Sequence, residues 1–200
     1  MTVSDPYVKL NLNPLLSFLI LVIMLPATVH AQDEYLNRDV PLGRMLDSLN
    51  GGREEVDVLI DKSEYKLSVM AGAVVMKQYP VVFGTSTMND KLRQGDKCTP
   101  EGTFAVRDKY PHPRWSKFIW IDYPNEQSWE KHNRAKREGE IREDADIGGE
   151  IGIHGVPSGM NFLIDLRYNW TLGCISLKND DVDELFPYIE PGVTTVTIIK

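Results

Sequence analysis

Cys174 and His154 are the residues of this chain best suited to covalent chemistry. Cys174 follows Gly173 and opens the alternation of Ile175 and Leu177. A thiol attacks as its thiolate, so it needs a nearby base, and an imidazole can serve. His154 ends the run IGIHG. Both lie at the ends of short strand-like segments beside glycine, where loops meet a rigid scaffold. Gly173 beside the thiol frees backbone N–H groups to face a ligand, as an oxyanion site for acyl transfer requires. The blander alternatives are a small buried hydrophobe for Cys174 and a satisfied strand-end side chain for His154. Spacing alone brings the two no nearer in space.

Other candidates weigh less. Cys98 sits in GDKCTPEG. It reads as a non-catalytic thiol or, in an oxidising compartment, as a disulfide partner that would disable Cys174. His112 and His132 lie in polar segments and are expected to be solvated. Asp146 and Glu150 precede His154, but the surrounding DIGGE reads as a turn rather than as the acid of a triad.

The elements that must position these residues follow from periodicity. Leu42, Met45, Leu46 and Leu49 recur at helical spacing before a flexible Asn50-Gly51-Gly52, so residues 32–54 read as a short helix and linker. From Val56 the period becomes two. Val56, Val58 and Ile60, then Tyr65, Leu67 and Val69, then a turn at Ala71-Gly72 and the run VVMKQYPVVFG read as antiparallel strands. Thr99–Val106 reads as a turn before another strand, and further strands are expected at Lys117–Pro124, in the short run ending at His154, in the alternating TLGCISL and at Val193–Lys200. The charged stretch 126–141 suits a solvated helix ended near Gly139. Asn179 or Asp180 is expected to cap a helix reaching about Tyr188. The stretch VPSGMNFLIDLRYNW reads as an irregular loop. The sum is a mainly β domain, sandwich or barrel-like, with a few short helices.

Composition bounds the function. The 200 residues carry 22 Lys and Arg against 29 Asp and Glu, a net charge of −7, with 42% apolar residues. That is ordinary globular composition. The acidic balance argues against nucleic acid as a partner. Two cysteines cannot build a disulfide scaffold or a four-thiolate zinc site. Residues 15–25 are almost purely apolar and lie between Pro14 and Pro26. As a helix they span roughly 16 Å against about 30 Å of hydrocarbon, too short for an ordinary membrane span. With Lys9 before the run and Val29 and Ala31 after it, residues 1–31 read as a secretory signal, an uncleaved anchor being the alternative. Export to the periplasm or cell envelope follows, with membrane contact only through that segment before cleavage.

Taken together, IHG, the 16 residues 155–170 and then TLGCISL resemble the signature of the L,D-transpeptidase catalytic domain, the YkuD-type family. TPEGTF resembles the family's Thr-Pro-x-Gly-x-Phe segment, and the strands around VLIDKSEYKLSVMAG look like its opening hairpin. The resemblance covers residues 55–200 and implies a domain of that family's β-rich type. It implies exported enzymes acting on peptidoglycan stem peptides, with no cofactor and no metal. Their thiolate attacks the carbonyl at the L-centre of meso-diaminopimelate and expels D-alanine. An amine of a second stem, a lipoprotein lysine or water then resolves the thioester. Carried over, Cys174 is the nucleophile, His154 its base, and the Gly155 carbonyl orients the imidazole. The N–H groups of Gly173, Cys174 and Leu172 form the oxyanion hole. Thr171, Leu172, Ser176, Trp170 and Arg167 are expected to touch substrate. Two positions depart from the pattern. Leu172 stands where the family has His, and Ser176 where it often has an Arg able to hold a substrate carboxylate. These departures make hydrolysis of the same bonds an alternative, and a decayed cell-wall binding module another.

Overall fold

The computed structural model describes Met1 and residues 35–49, 55–86 and 89–200. The expected signal and its cleavage point lie outside the described residues, as do residues 50–54 of the linker. Among the described residues no helix is long and apolar enough to cross a membrane.

Among the described residues eight strands make one sheet: β1 (Asp57–Asp61), β2 (Lys66–Ala71), β3 (Val74–Pro80), β4 (Gly102–His112), β5 (Ser116–Ile121), β6 (Gly152–His154), β7 (Ile175–Ser176) and β8 (Thr195–Ile199). Their order is β3-β2-β1-β8-β4-β5-β6-β7. The period-two runs after Val56 form the antiparallel β1-β2-β3 meander as expected. Two pairings are parallel instead, β1 with β8 and β6 with β7, each across the long connection a parallel pair requires. Strand β4 is longer than its apolar run. Its first residues pair with β8, a register shift falls between Val106 and Asp108, and the rest pairs with β5. Such a shift bends a strand and lets it serve both halves of a curved sheet. Just past β3, Val82 bridges Ser176 and Gly84 bridges Thr171. These bridges join the sheet's two ends, so the architecture is barrel-like.

The core is filled by the inward residues of the strands. Val58, Ile60, Leu67, Val69, Phe104, Ile119, Ile153, Ile175, Val196 and Ile198 all belong to one buried cluster. Each such side chain contributes about 1.5–3 kcal/mol by leaving water. Among the described residues four α-helices complete the domain: α1 (Leu42–Asp47), α2 (Glu126–Arg137), α3 (Phe162–Asp165) and α4 (Asn179–Leu185), the last continued by a 3-10 turn at Phe186–Tyr188. Helix α1 buries Leu42 and Leu46, and its Leu42 N–H donates to the Glu184 carboxylate of α4 at 2.7 Å.

Several local expectations are corrected. Helix α2 has one buried face, and His132 on it is 1% exposed with Nδ1 2.6 Å from the Leu92 carbonyl. It is not solvated, because α2 packs against the 90–101 segment. The loop after His154 contains α3. Lys178, not Asn179 or Asp180, occupies the N-cap of α4, without a side-chain cap. Asn179 lies in the first turn, and its side chain accepts the Val156 N–H at 3.0 Å instead.

Candidate active site

The strands bring Cys174 and His154 to one wall. In the parallel β6-β7 pair, Ile153 lies opposite Ile175 and His154 opposite Ser176. Side chains alternate along strands. Extending that alternation one residue before β7 puts Cys174 on the same face as His154. Both line a cavity of about 670 Å³ together with Lys91, Gln94, Lys97, Trp115, Trp170, Thr171 and Leu172. Cys174 also borders a second cavity of about 390 Å³, walled by Tyr110, His112, Trp115, Phe118, Trp120 and Glu150.

His154 is 2% exposed and held on every side. Trp115 stacks on it with ring centroids 4.4 Å apart, Phe118 lies nearly parallel at 5.9 Å, and Trp170 meets it edge-on at 5.6 Å. Its Nδ1 lies 2.6 Å from the Gly155 carbonyl oxygen. A carbonyl only accepts, so Nδ1 carries the proton and Nε2 keeps its lone pair. The same carbonyl accepts Ser176 Oγ at 3.2 Å. Burial disfavours the imidazolium and lowers the His154 pKa to about 4, against a partial rise from the Gly155 bond.

The Cys174 thiol donates weakly to the Glu150 carbonyl at 3.6 Å. Burial pushes its pKa up to about 11, opposed by the Gly152 N–H and by the Lys91 charge. The resting pair is therefore neutral thiol and neutral imidazole. Cys98 and Cys174 are both free thiols. Cys98 is buried, and desolvation raises its pKa as well.

The residues expected to bind substrate divide. Trp170, Thr171 and Leu172 line the larger cavity, with Leu172 fully at its mouth, 74% exposed. Ser176 does not face it. It is completely buried and spends its hydroxyl on Gly155, behind the imidazole. Arg167 is not a lining residue either. It lies over the Tyr65 ring at 5.4 Å. The Gly173 N–H is already spent, donating to Thr171 Oγ1 at 3.2 Å, while that hydroxyl donates to the Cys174 carbonyl at 2.7 Å. Gly173 has φ 141°, and a Cβ there would stand 2.7 Å from the Cys98 carbonyl oxygen. Glycine is required at this position by close packing and backbone conformation rather than by an open N–H. The N–H groups of Cys174 and Leu172 have no hydrogen-bond partner among the described residues.

Trp115, Lys91 and Lys97 were not singled out in the sequence. Trp115 follows PHPR at the β4-β5 turn, and only the fold brings it to His154. Lys91 and Lys97 lie eight and two residues before Thr99 of TPEG, and their charge in an acidic chain was the one available signal. Among the described residues no cluster of His, Cys, Asp and Glu could hold a metal.

A sequence model of the L,D-transpeptidase catalytic domain, YkuD, matches residues 55–198. No curated protein matches the chain significantly. Among solved structures, Bd1075 of Bdellovibrio bacteriovorus is 26% identical, with a TM-score of 0.49, covering 73% of this chain and 48% of its own. The helical cell shape determining protein Pgp2 of Campylobacter jejuni is 20% identical, with a TM-score of 0.51, covering 80% of this chain and 55% of its own. An L,D-transpeptidase of Mycobacterium smegmatis is 15% identical, with a TM-score of 0.47, over 73% and 59%. The chain thus spans about half the length of the first of these structures.

Proposed function

From the premise that this chain belongs to the L,D-transpeptidase catalytic-domain family, we propose that it is an exported cysteine acyltransferase acting on peptidoglycan stem peptides. The domain spans residues 55–200, follows the short helix and linker of 32–54, and works in the cell envelope after removal of residues 1–31. The carrying observation is the shared cavity of Cys174 and a His154 whose Nε2 is left unprotonated by the Gly155 bond.

In this reading His154 Nε2 takes the Cys174 proton as sulfur attacks the carbonyl at the L-centre of the diamino acid. Charge develops on the carbonyl oxygen, where the N–H groups of Cys174 and Leu172 are free to meet it. Gly173 supports this hole by its backbone shape, not by donating. The Gly155 carbonyl stabilises the imidazolium formed, since it already accepts from Nδ1. The tetrahedral intermediate collapses, the C–N bond breaks, and the leaving amine takes the proton from His154. A thioester remains on Cys174. An incoming amine or water then gives its proton to His154, attacks the thioester and releases the thiol. Trp170, Thr171 and Leu172 border the acyl group.

The test is mass spectrometry of tetrapeptide muropeptides incubated with the full chain and with Cys174→Ala. The chain should release D-alanine and give a cross-linked, exchanged or shortened product. The product distinguishes transfer from hydrolysis. Cys174→Ala should lose this by at least about a thousandfold, the order seen when a nucleophile is removed. An intact substrate with wild-type protein, or undiminished turnover by Cys174→Ala, overturns the reading.

A further inference from the structure

We propose that Lys91 and Lys97 form a carboxylate-binding wall facing Cys174, which holds an anionic group of the stem peptide beside the scissile bond. This deepens the proposed function and rests on it.

Lys91 is 5% exposed yet lines the Cys174 cavity. Its ammonium donates to the Arg93 carbonyl at 3.0 Å and to Asp96 Oδ1 at 2.8 Å. An ammonium has three donors, so one remains. Asp96 is not a lining residue. Its other oxygen accepts the N–H groups of Leu92 and Arg93, and Oδ1 also accepts that of Cys98. The acid that neutralises Lys91 is therefore turned into its own loop, and hydrogen bonding from Lys91 and these amides overcomes desolvation to keep its pKa low.

Lys97 supplies the unbalanced charge. It lines the same cavity, is exposed, and its ammonium has neither an ion pair nor a hydrogen bond among the described residues. Its backbone is held at φ 59°, and its carbonyl accepts the Ser86 N–H at 3.0 Å, so the Cα–Cβ bond leaves the loop in a set direction. Gln94 lines the same wall. Among the described residues the sole acid lining the cavity, Glu150, is shared with the second cavity.

The loop itself is tied down. Lys62 is wholly buried, and its ammonium donates to the carbonyls of Asn89 and Thr99 and to Glu101. Lys131 pairs with Asp90, whose other oxygen accepts the Glu101 N–H. The unbalanced Lys97 charge and the spare Lys91 donor, on an anchored loop beside the Cys174 thiol, favour an anion. The carboxylates of a stem peptide nearest its scissile bond are that of the C-terminal D-residue and that on the diamino acid side chain.

Three synthetic stem tetrapeptides separate these sources: the free acid, the C-terminal amide, and the peptide amidated on the diamino acid carboxylate. With the full chain, one amide should lose roughly tenfold or more in kcat/KM, the worth of a charged hydrogen bond. The amide that suffers names the carboxylate held. Lys97→Gln should raise KM for the free acid by a similar factor with no further loss on that amide, and Lys97→Arg should restore much of it. Lys97 is used because Lys91 variants also break the Asp96 loop. Equal turnover of all three peptides, or an unchanged KM in Lys97→Gln, overturns the wall while leaving the acyl-transfer reading in place. Failure of wild-type protein on every peptide overturns both.

Discussion

His154 and Gly155 are neighbours in the chain, and the imidazole of the first donates from Nδ1 to the carbonyl of the second at 2.6 Å. A residue reaches its own successor only if the backbone turns sharply there. The turn is held by the Gly155 N–H donating to the Trp115 carbonyl at 3.0 Å and by Asn179 accepting from Val156. The strand end thus sets the tautomer of the imidazole, and through it the direction in which the unprotonated nitrogen faces.

Gly155→Ala should break this arrangement. A Cβ at Gly155 would overlap Asn179 Oδ1 and stand 2.6 Å from the Trp115 carbonyl oxygen. Forcing a methyl into packed backbone costs about 1–3 kcal/mol. The variant should lose about that much stability in chemical denaturation. Its turnover of stem peptides should fall at least about tenfold, because the carbonyl that holds Nδ1 moves. Wild-type stability and turnover together would show that the close contact relaxes freely.

The neutral resting pair fixes the pH behaviour. Below about 4 His154 is protonated and cannot take a proton, so kcat/KM should fall on that side and stay level through neutral pH. Alkylation of Cys174 by a thiol reagent should be slow at pH 7 and accelerate toward about 11, since burial withholds the thiolate. Stability follows the same groups. The His154 pKa is lower folded than unfolded, so its contribution is present above about 6.5 and lost as pH falls through about 4. The Cys174 pKa is higher folded, so its contribution is present below about 9 and lost as pH rises through about 11. Denaturation midpoints should therefore plateau between about 6.5 and 9. Fast alkylation at neutral pH, or a rate limb centred near 7, would instead indicate a thiolate-imidazolium pair.

Much of this was legible because strands with period two announce themselves. The meander from Val58 to Tyr79, the terminal strand and the glycine-flanked positions of Cys174 and His154 all follow from local pattern. What was not legible depends on contacts between distant segments. The parallel pairings, the burial of His132 against Leu92 and the bridges from Val82 and Gly84 have no local signature. Ser176 shows the limit clearly. The resemblance put it where an Arg would hold substrate, and alternation keeps it on the His154 face, yet it lies fully buried beneath the imidazole with its hydroxyl on the Gly155 carbonyl. Gly173 looked like a source of N–H groups, yet Thr171 takes its N–H, and its need for glycine comes from the Cys98 carbonyl pressed against it.

Trp115→Leu tests whether the aromatic cover, rather than depth in the sheet, keeps His154 neutral. The Trp115 ring stacks on the imidazole at 4.4 Å, with His112 stacked on its far side at 4.3 Å and the Arg114 guanidinium 5.3 Å from its centroid. Its backbone carbonyl, which holds Gly155 and Lys117, is retained by any substitution. Leucine therefore opens the imidazole to water while leaving the turn in place. Desolvation is the largest cause lowering the His154 pKa, so admitting water should move it from about 4 toward the ordinary 6.5. Titration of the His154 ring protons by NMR and the acidic limb of kcat/KM should shift upward together, and by the same amount. Turnover near pH 8, where the imidazole is neutral in both proteins, should change much less. A limb that stays near 4 would assign the shift to Phe118 and Trp170, the other rings against His154.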